Sequence, residues 1–353
     1  MKRIIYLGIA LCLAACNPSA QNQKTAENEA GADVISVSTT RIWEEGYSAF
    51  PSIVSWRGRF YVSFREGYSH IFNKEGIADG KARIICSEDG KNWQPVALLT
   101  KEGYDLRDPK LSVTPDDRLM VTMGGSLYVD KELLGQYPQV SFSEDGKTFS
   151  EPQQAYVAGD RDDTREWIWR VTWHEGTGYA VTYGNHFALL KTTDGINFDI
   201  VREFSEIDDF PNEATVRFSP EGKMYILIRR DGKDNTAYWG SSDSPYTDWE
   251  FKKLPMHVGG PEVMLLDDGK VIIGGRCHFP GMAKTMIWKG KTDGSFNPYL
   301  ILPSGWDNSY PGFLRVGDEL WTVYYSSHEL KRADDGYSRA GIYLAKMPMS
   351  MFE

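Results

Sequence analysis

SEDGKNW at Ser87–Trp93, SEDGKTF at Ser143–Phe149 and TTDGINF at Thr192–Phe198 are three copies of one phrase. Worn copies follow as SSDSPYTDW at Ser241–Trp249 and KTDGSF at Lys291–Phe296. The clean copies set a hydroxyl residue two positions before an Asp, a Gly directly after it and an aromatic at the close. In such a turn the carboxylate accepts hydrogen bonds from nearby backbone N–H groups. The Gly takes the positive φ that a tight hairpin needs. The aromatic packs back under the sheet. Asp89, Asp145 and Asp194 therefore read as scaffold, and a phrase repeated at this spacing points to a solenoid or a propeller.

Between the turns lie paired apolar runs. They are PSIVSWRGRFYVSFR from Pro51, PKLSVTPDDRLMVTMGG from Pro109, WRVTWHEGTGYAVTYG from Trp169, EATVRFSPEGKMYILIRR from Glu213, PEVMLLDDGKVIIGGR from Pro261 and YPGFLRVGDELWTVYYSS from Tyr310. Each is a strand, a turn built on Gly or Asp, and a second strand, which is a hairpin signal. The first five are each followed by an aspartate turn. Six such units predict an all-β chain folded as a six-bladed β-propeller with Asp-box hairpin turns.

The N-terminus, MKRIIYLGIALCLAAC, sets two basic residues before a short apolar run. It reads as a secretory signal over residues 1–15, with Cys16 after Leu-Ala-Ala resembling a bacterial lipoprotein box. Residues 16–35 read as a lipidated cysteine and a polar tether. The propeller is expected over residues 36–353, exported and anchored at a periplasmic or cell-surface membrane, as a monomer. The whole chain has 353 residues and a formal charge of −10, so an acidic product without a basic run is a poor nucleic-acid binder. Cys86 and Cys277 fall in distant repeats and read as two buried thiols, unpaired. No metal-ligand spacing occurs, and no cofactor is implied.

The ends of the inner strands carry the chemistry. Unit one ends with Arg65, Glu66 and His70; unit two begins Arg107-Asp108-Pro109-Lys110. Unit three brings Arg165, Glu166 and Arg170, then Asn185-His186. Unit four brings Glu213, Arg229 and Arg230; unit five Glu262, Arg276 and His278; unit six Asp307 and Tyr310. An arginine recurs in five of the six units of an acidic chain. Guanidinium groups gathered at one axis are costly unless anions meet them. Internal Arg–carboxylate pairs satisfy that need in part, and an anionic ligand held in bidentate forks satisfies it too. Trp167, Trp169, Trp173 and Trp306 offer apolar faces for a sugar ring or for the core.

From about Ser36 onward the chain resembles the sialidase (neuraminidase) superfamily. Glu213, Val216 and Gly222 match its E-x-x-V-x-x-x-x-x-G segment, and Arg229 stands sixteen residues after Glu213, as in that family. The resemblance implies that Arg229 belongs to an arginine triad gripping a carboxylate, with Arg276 as another member. It implies that Glu213 polarises a nucleophilic tyrosine, Tyr310. Asp79 is the positional match to the acid/base, with His70 as rival. The family's first triad arginine is replaced by Ala49, and Arg65 is the substitute from the same unit. Arg107, Asp108, Arg170, Arg230 and Glu262 complete the expected substrate-binding ring.

The expectation is an exo-acting glycosidase that releases a terminal acidic sugar from an acidic glycan. A polysaccharide lyase acting on uronates through His, Tyr and Arg is one alternative. A non-catalytic glycan-binding lipoprotein, favoured by the loss at Ala49, is another.

Overall fold

A computed structural model describes residues 37–158, 167–183, 186–330 and 336–353. Among these, the strands form six sheets, almost all with four antiparallel strands in sequence order. Blade one is Tyr47–Trp56, Arg59–Gly67, Lys81–Ser87 and Gln94–Leu99. Blade two is Tyr104–Val113, Leu119–Val129, Glu132–Ser143 and Gln153–Gln154. Blades four and five start with inner strands Pro211–Phe218 and Gly259–Leu265. Blade six takes Asn308–Val316, Glu319–Ser326 and Gly341–Pro348 from the end of the chain and closes with Ser38–Trp43 from its start. That antiparallel seam locks the ring. The predicted six-bladed propeller is the observed fold. Cys16 and the tether lie outside the described residues.

Blade three departs from the pattern. Its inner strand is broken into Trp167–Ile168 and Thr172–His174, and Tyr156–Val157 adds a parallel edge strand to Asn197–Glu203. Trp169 and Arg170 sit in the break.

All three clean aspartate phrases link the third strand of a blade to the fourth, on the face opposite the inner-strand starts. Asp89 Oδ1 accepts from the N–H groups of Lys91 and Asn92, both at 2.8 Å, and Asp145 and Asp194 do the same in their turns. Backbone hydrogen bonds hold the Asp89 carboxyl below the usual carboxylate range. The glycines do more than turn the chain. Gly90 has φ 64°, and a Cβ there would lie 1.9 Å from the Trp321 ring of blade six. A Cβ on Gly146 would lie 2.1 Å from the Tyr61 hydroxyl of blade one. These two phrases each seat an aromatic of the preceding blade, and Gly195 of the third closes on Met120 of blade two, 2.8 Å from where its Cβ would lie. The core follows the same logic: it is a ring of apolar clusters, several of them lying between successive blades, as where Trp56, Tyr61 and Ile84 meet Leu106, Leu111 and Val121. The two thiols, Cys86 and Cys277, are unpaired and half-buried rather than buried.

The inner strands share a second repeat. Each of five breaks register near its start: between Ala49 and Ser52, Arg107 and Lys110, Pro211 and Ala214, Gly259 and Glu262, and Ser309 and Gly312. In four of them the bulged residue is left-handed and precedes a proline: Phe50 (φ 61°), Asp108 (48°), Gly260 (60°) and Tyr310 (53°). A residue before proline prefers extended backbone, and L side chains rarely take positive φ. Such strain persists where the surroundings over-determine it, and bulges re-aim side chains beside active sites. All four proline carbonyls are caught by a side chain from another blade. Lys110 donates to Pro51 O (3.3 Å), Ser63 to Pro109 O (2.8 Å), Thr215 to Pro261 O (2.7 Å) and Arg170 to Pro311 O (2.8 Å).

Gly90→Ala adds both a left-handed Cβ and a clash, so it is expected to cost about 2–4 kcal/mol. Gly58→Ala, at φ 73° with nothing within 4 Å, is expected to cost about 1 kcal/mol. Urea unfolding of the two variants checks the difference.

Candidate active site

The bulges converge on the Tyr310 phenol. Its hydroxyl donates to Glu213 Oε1 at 2.5 Å. Arg229 Nη1 donates to the Tyr310 oxygen at 2.8 Å and pairs with Glu213 Oε2 at 2.8 Å. The Gly260 N–H donates to the same Oε2 at 2.7 Å. One buried carboxylate is thus shared by a phenol, a guanidinium and a backbone amide. Gly260 is required twice, for its φ and because a Cβ would lie 2.5 Å from the Tyr310 ring. Burial pushes the Tyr310 phenol well above its ordinary pKa, and Arg229 and Arg276 oppose that rise. A neutral phenol hydrogen-bonded to a carboxylate has a proton acceptor already in place.

The ring is walled by Phe50, at a centroid distance of 4.8 Å, and Trp169, at 6.1 Å. Arg276 lies over it, Cζ 5.4 Å from the centroid. Arg276 itself is held by Asn308 O, by Asp307 Oδ1 at 3.0 Å and by the Tyr325 hydroxyl at 2.6 Å. Arg229 is held by Asp231 in the same way, at 2.8 and 2.9 Å. Burial alone would raise the Asp307 carboxyl, yet the hydrogen bond from His70 and the charge of Arg276 keep it far below the usual range.

Two side chains from the start of blade two complete the centre. Arg107 donates to the His70 carbonyl at 3.0 Å and to Asp105 at 3.1 Å, with its guanidinium 5.7 Å from the Phe50 ring. His70 also meets the Tyr47 hydroxyl at 2.7 Å and Asp307 at 3.2 Å. Asp108 is buried, and its Oδ1 has no hydrogen-bond partner. Burial raises its carboxyl, Lys110, Arg107 and His70 pull it down, and Glu213 adds to the rise.

The structure therefore brings together Tyr310, Glu213, Arg229, Arg276, Arg107, Asp108 and His70. Other expected site residues lie elsewhere. Asp79 accepts from the Tyr68 N–H at 3.1 Å and lines a peripheral cavity between blades one and two, with no bond to Tyr310, Glu213 or Arg229. Arg65 is 0% exposed, paired with Asp105 at 2.9 Å and donating to Ser69 O at 2.7 Å. Arg230 points away from Arg229, as neighbours on a strand do, and pairs with Asp208 at 2.7 Å. Arg170 and Glu262 pair with each other at 2.7 Å, and Glu262 also takes Arg217. They form a support beneath Tyr310 rather than a mouth to solvent. Arg165, Glu166 and Asn185 lie outside the described residues.

Phe50, Lys110, Tyr325 and Asp231 enter the centre without having been singled out as ligands or catalysts. The signal for Phe50 and Lys110 was the recurrent dipeptide at the inner-strand starts, Phe-Pro, Asp-Pro, Gly-Pro and Tyr-Pro; nothing comparable marks Tyr325 or Asp231. At the rim, Trp306 is 79% exposed and Phe210 61%, each left-handed at the entry to an inner strand.

No protein-family model matches the chain, and no curated protein matches it in sequence. Solved structures do share its fold. A protein of unknown function from Dyadobacter fermentans superposes with a TM-score of 0.70 over 88% of this chain and 98% of its own, at 17% identity. The NanB sialidase of Streptococcus pneumoniae gives 0.67 over 89% and 71%, at 8% identity. The alpha-L-arabinanase of Penicillium chrysogenum, solved with arabinobiose, gives 0.65 over 89% and 99%, at 14% identity. The chain has the six-bladed propeller fold found in sialidases and arabinanases.

Asp105→Ala would strand Arg65 as a buried unpaired charge, so it is expected to lower stability by about 3–5 kcal/mol. The loss should appear in denaturant unfolding at any pH where the carboxylate of the parent protein is ionised.

Proposed function

We propose that the protein is a retaining glycoside hydrolase that removes a terminal acidic sugar from a glycan. The observation that carries this reading is Tyr310 bonded to Glu213 and Arg229 at the propeller axis. The fold shared with a sialidase and an arabinanase supports glycosidase chemistry in general. The acidic sugar is the finer step, and the cations around Tyr310 support it. Arg229, Arg276 and Arg107 would orient a carboxylate. Arg107, over the Phe50 ring, brings from blade two the charge that is missing at Ala49.

A carboxylate beside the anomeric carbon repels an anionic nucleophile, and a neutral phenol avoids that repulsion. Tyrosine is the recognised exception to the two-carboxylate rule. The Tyr310 oxygen attacks the anomeric carbon while its proton passes to Glu213. The bond to the leaving oxygen breaks, and that oxygen takes a proton from Asp108. Asp108 is assigned this role over Asp79 and His70 because it is buried, without a partner at Oδ1, and close enough for its charge to act on Tyr310. Water then attacks the same carbon, Asp108 takes its proton, and Tyr310 leaves with the proton held by Glu213. We place this enzyme at a membrane through Cys16, as its leader suggests.

A uronate lyase is the second reading. His70, linked to Tyr47, Asp307 and Arg107, is the observation that favours it.

Aryl glycosides of α-sialic acid, other 2-keto-3-deoxy acids and uronic acids test both. Release of phenol, reduced at least about a thousandfold in Tyr310→Phe, is expected. An unsaturated product absorbing in the ultraviolet, intact in Tyr310→Phe but lost in His70→Ala, would replace this reading with the lyase. Asp108→Asn is expected to spare kcat/KM, which reports the first step, for substrates with activated leaving groups and to lose it for those with poor ones. Trp306→Ala, which leaves the centre untouched, is expected to raise KM for an oligosaccharide about fivefold with little change in kcat.

A further inference from the structure

The proton transfers above leave one buried charge beside the nucleophile without a task. Lys110 is 3% exposed. Its Nζ donates to the carbonyls of Phe50 at 2.9 Å and Pro51 at 3.3 Å, the two residues of the blade-one bulge. The same ammonium lies 5.0 Å from the centroid of Trp169 and 5.8 Å from that of Tyr310. A buried lysine is costly, and a serine of blade one and a threonine of blade four catch the equivalent carbonyls of blades two and five. The carbonyl contact alone does not call for a cation.

We propose that Lys110 is a positioning residue whose ammonium, fixed by the blade-one bulge against the face of Tyr310, stabilises the phenolate character that develops as Glu213 takes the phenolic proton. This rests on the reading of Tyr310 as nucleophile. A cation over an aromatic face is attracted to it, and more strongly as the ring gains negative charge. In a site closed to water the effect is large. Arg229 meets the oxygen and Arg276 the ring, so Lys110 is the third cation around one phenol.

Burial and the nearby Arg170 charge lower the Lys110 amine to about 7, against the pull of Asp108, Glu213 and Glu262. Those are the charged groups that face it: Asp108 from its own strand, Arg170 from blade three, Glu213 from blade four and Glu262 from blade five. Blade six presents Tyr310, and blade one presents the two backbone carbonyls. Below about pH 7 the ammonium is present; above it the amine is neutral and the support is lost. Turnover should therefore fall as pH rises through that value.

The test uses an aryl glycoside with a strongly activated leaving group, so that the Asp108 proton does not limit the rate. Lys110→Met is expected to keep its KM, to lose about tenfold or more in kcat at pH 6, and to lose the decline between pH 6 and 8. A folded Lys110→Met protein, verified by its melting curve, with parent kcat would overturn the proposal. Nuclear magnetic resonance of the parent protein, with 13Cε-lysine and 13Cζ-tyrosine labels, reads the same coupling without turnover. Signals are assigned by Lys110→Met and Tyr310→Phe. A Lys110 midpoint near 7 with a Tyr310 shift at the same midpoint supports the proposal, even if Lys110→Met fails to fold. A Tyr310 signal blind to the Lys110 titration, wherever its midpoint falls, refutes the proposal. If no glycoside of any class is cleaved, the glycosidase reading fails, while the resonance result still decides whether Lys110 acts on Tyr310.

Discussion

Four strands turn inward against their own backbone preference, and each is held there by a side chain from a different blade. The residues before Pro51, Pro109, Pro261 and Pro311 are left-handed, and the four proline carbonyls are caught by Lys110, Ser63, Thr215 and Arg170. A propeller blade has no reason of its own to bulge at its inner edge. The strain persists because closing the ring brings a donor from another blade to each displaced carbonyl. The seam between Ser38–Trp43 and Gly341–Pro348 is thus more than a latch on the fold. It supplies the closed geometry on which the centre depends.

That geometry explains how so much charge can be buried. Arg170, Glu262 and Arg217 bridge blades three, four and five; Arg65 and Asp105 bridge blades one and two. Such pairs add little net stability, but breaking one leaves a stranded charge. They fix the relative position of blades more stringently than apolar contacts, which tolerate sliding. Arg170 shows the link to the site: one arm pairs with Glu262 and the other holds the carbonyl directly after Tyr310.

The fold was legible because the aspartate turn is local chemistry: hydroxyl, carboxylate, glycine and aromatic act within seven residues, as SEDGKNW shows. Glu213, Arg229 and Tyr310 were legible for a related reason. Glu213 and Arg229 lie on one hairpin, so their spacing is their geometry, and Tyr310 opens the matching strand two blades on. Asp79 and Arg65 were not legible. Asp79 stands in a long loop, where sequence position does not fix direction. Arg65 is on a strand whose end aims it at Asp105. Charge alone could not separate Arg229 from Arg230, which differ by the alternation of a strand. The bulge dipeptides were visible in the sequence, but their meaning came from the broken register.

The distribution of charge bears on what the centre can hold. The chain carries a formal charge of −10, yet Arg229, Arg276 and Lys110 crowd the Tyr310 ring and Arg107 lies over the neighbouring Phe50. Each arginine is partly satisfied by an acid behind it: Asp105, Asp231 and Asp307. Those pairs hold the guanidinium groups in place without a ligand. A ligand carboxylate would meet donors already oriented, at little cost in ordering them. An uncharged sugar would leave the same donors half-used. Preorganised cations backed by their own acids therefore favour an anionic ligand, and a neutral phenol at their focus does not repel one.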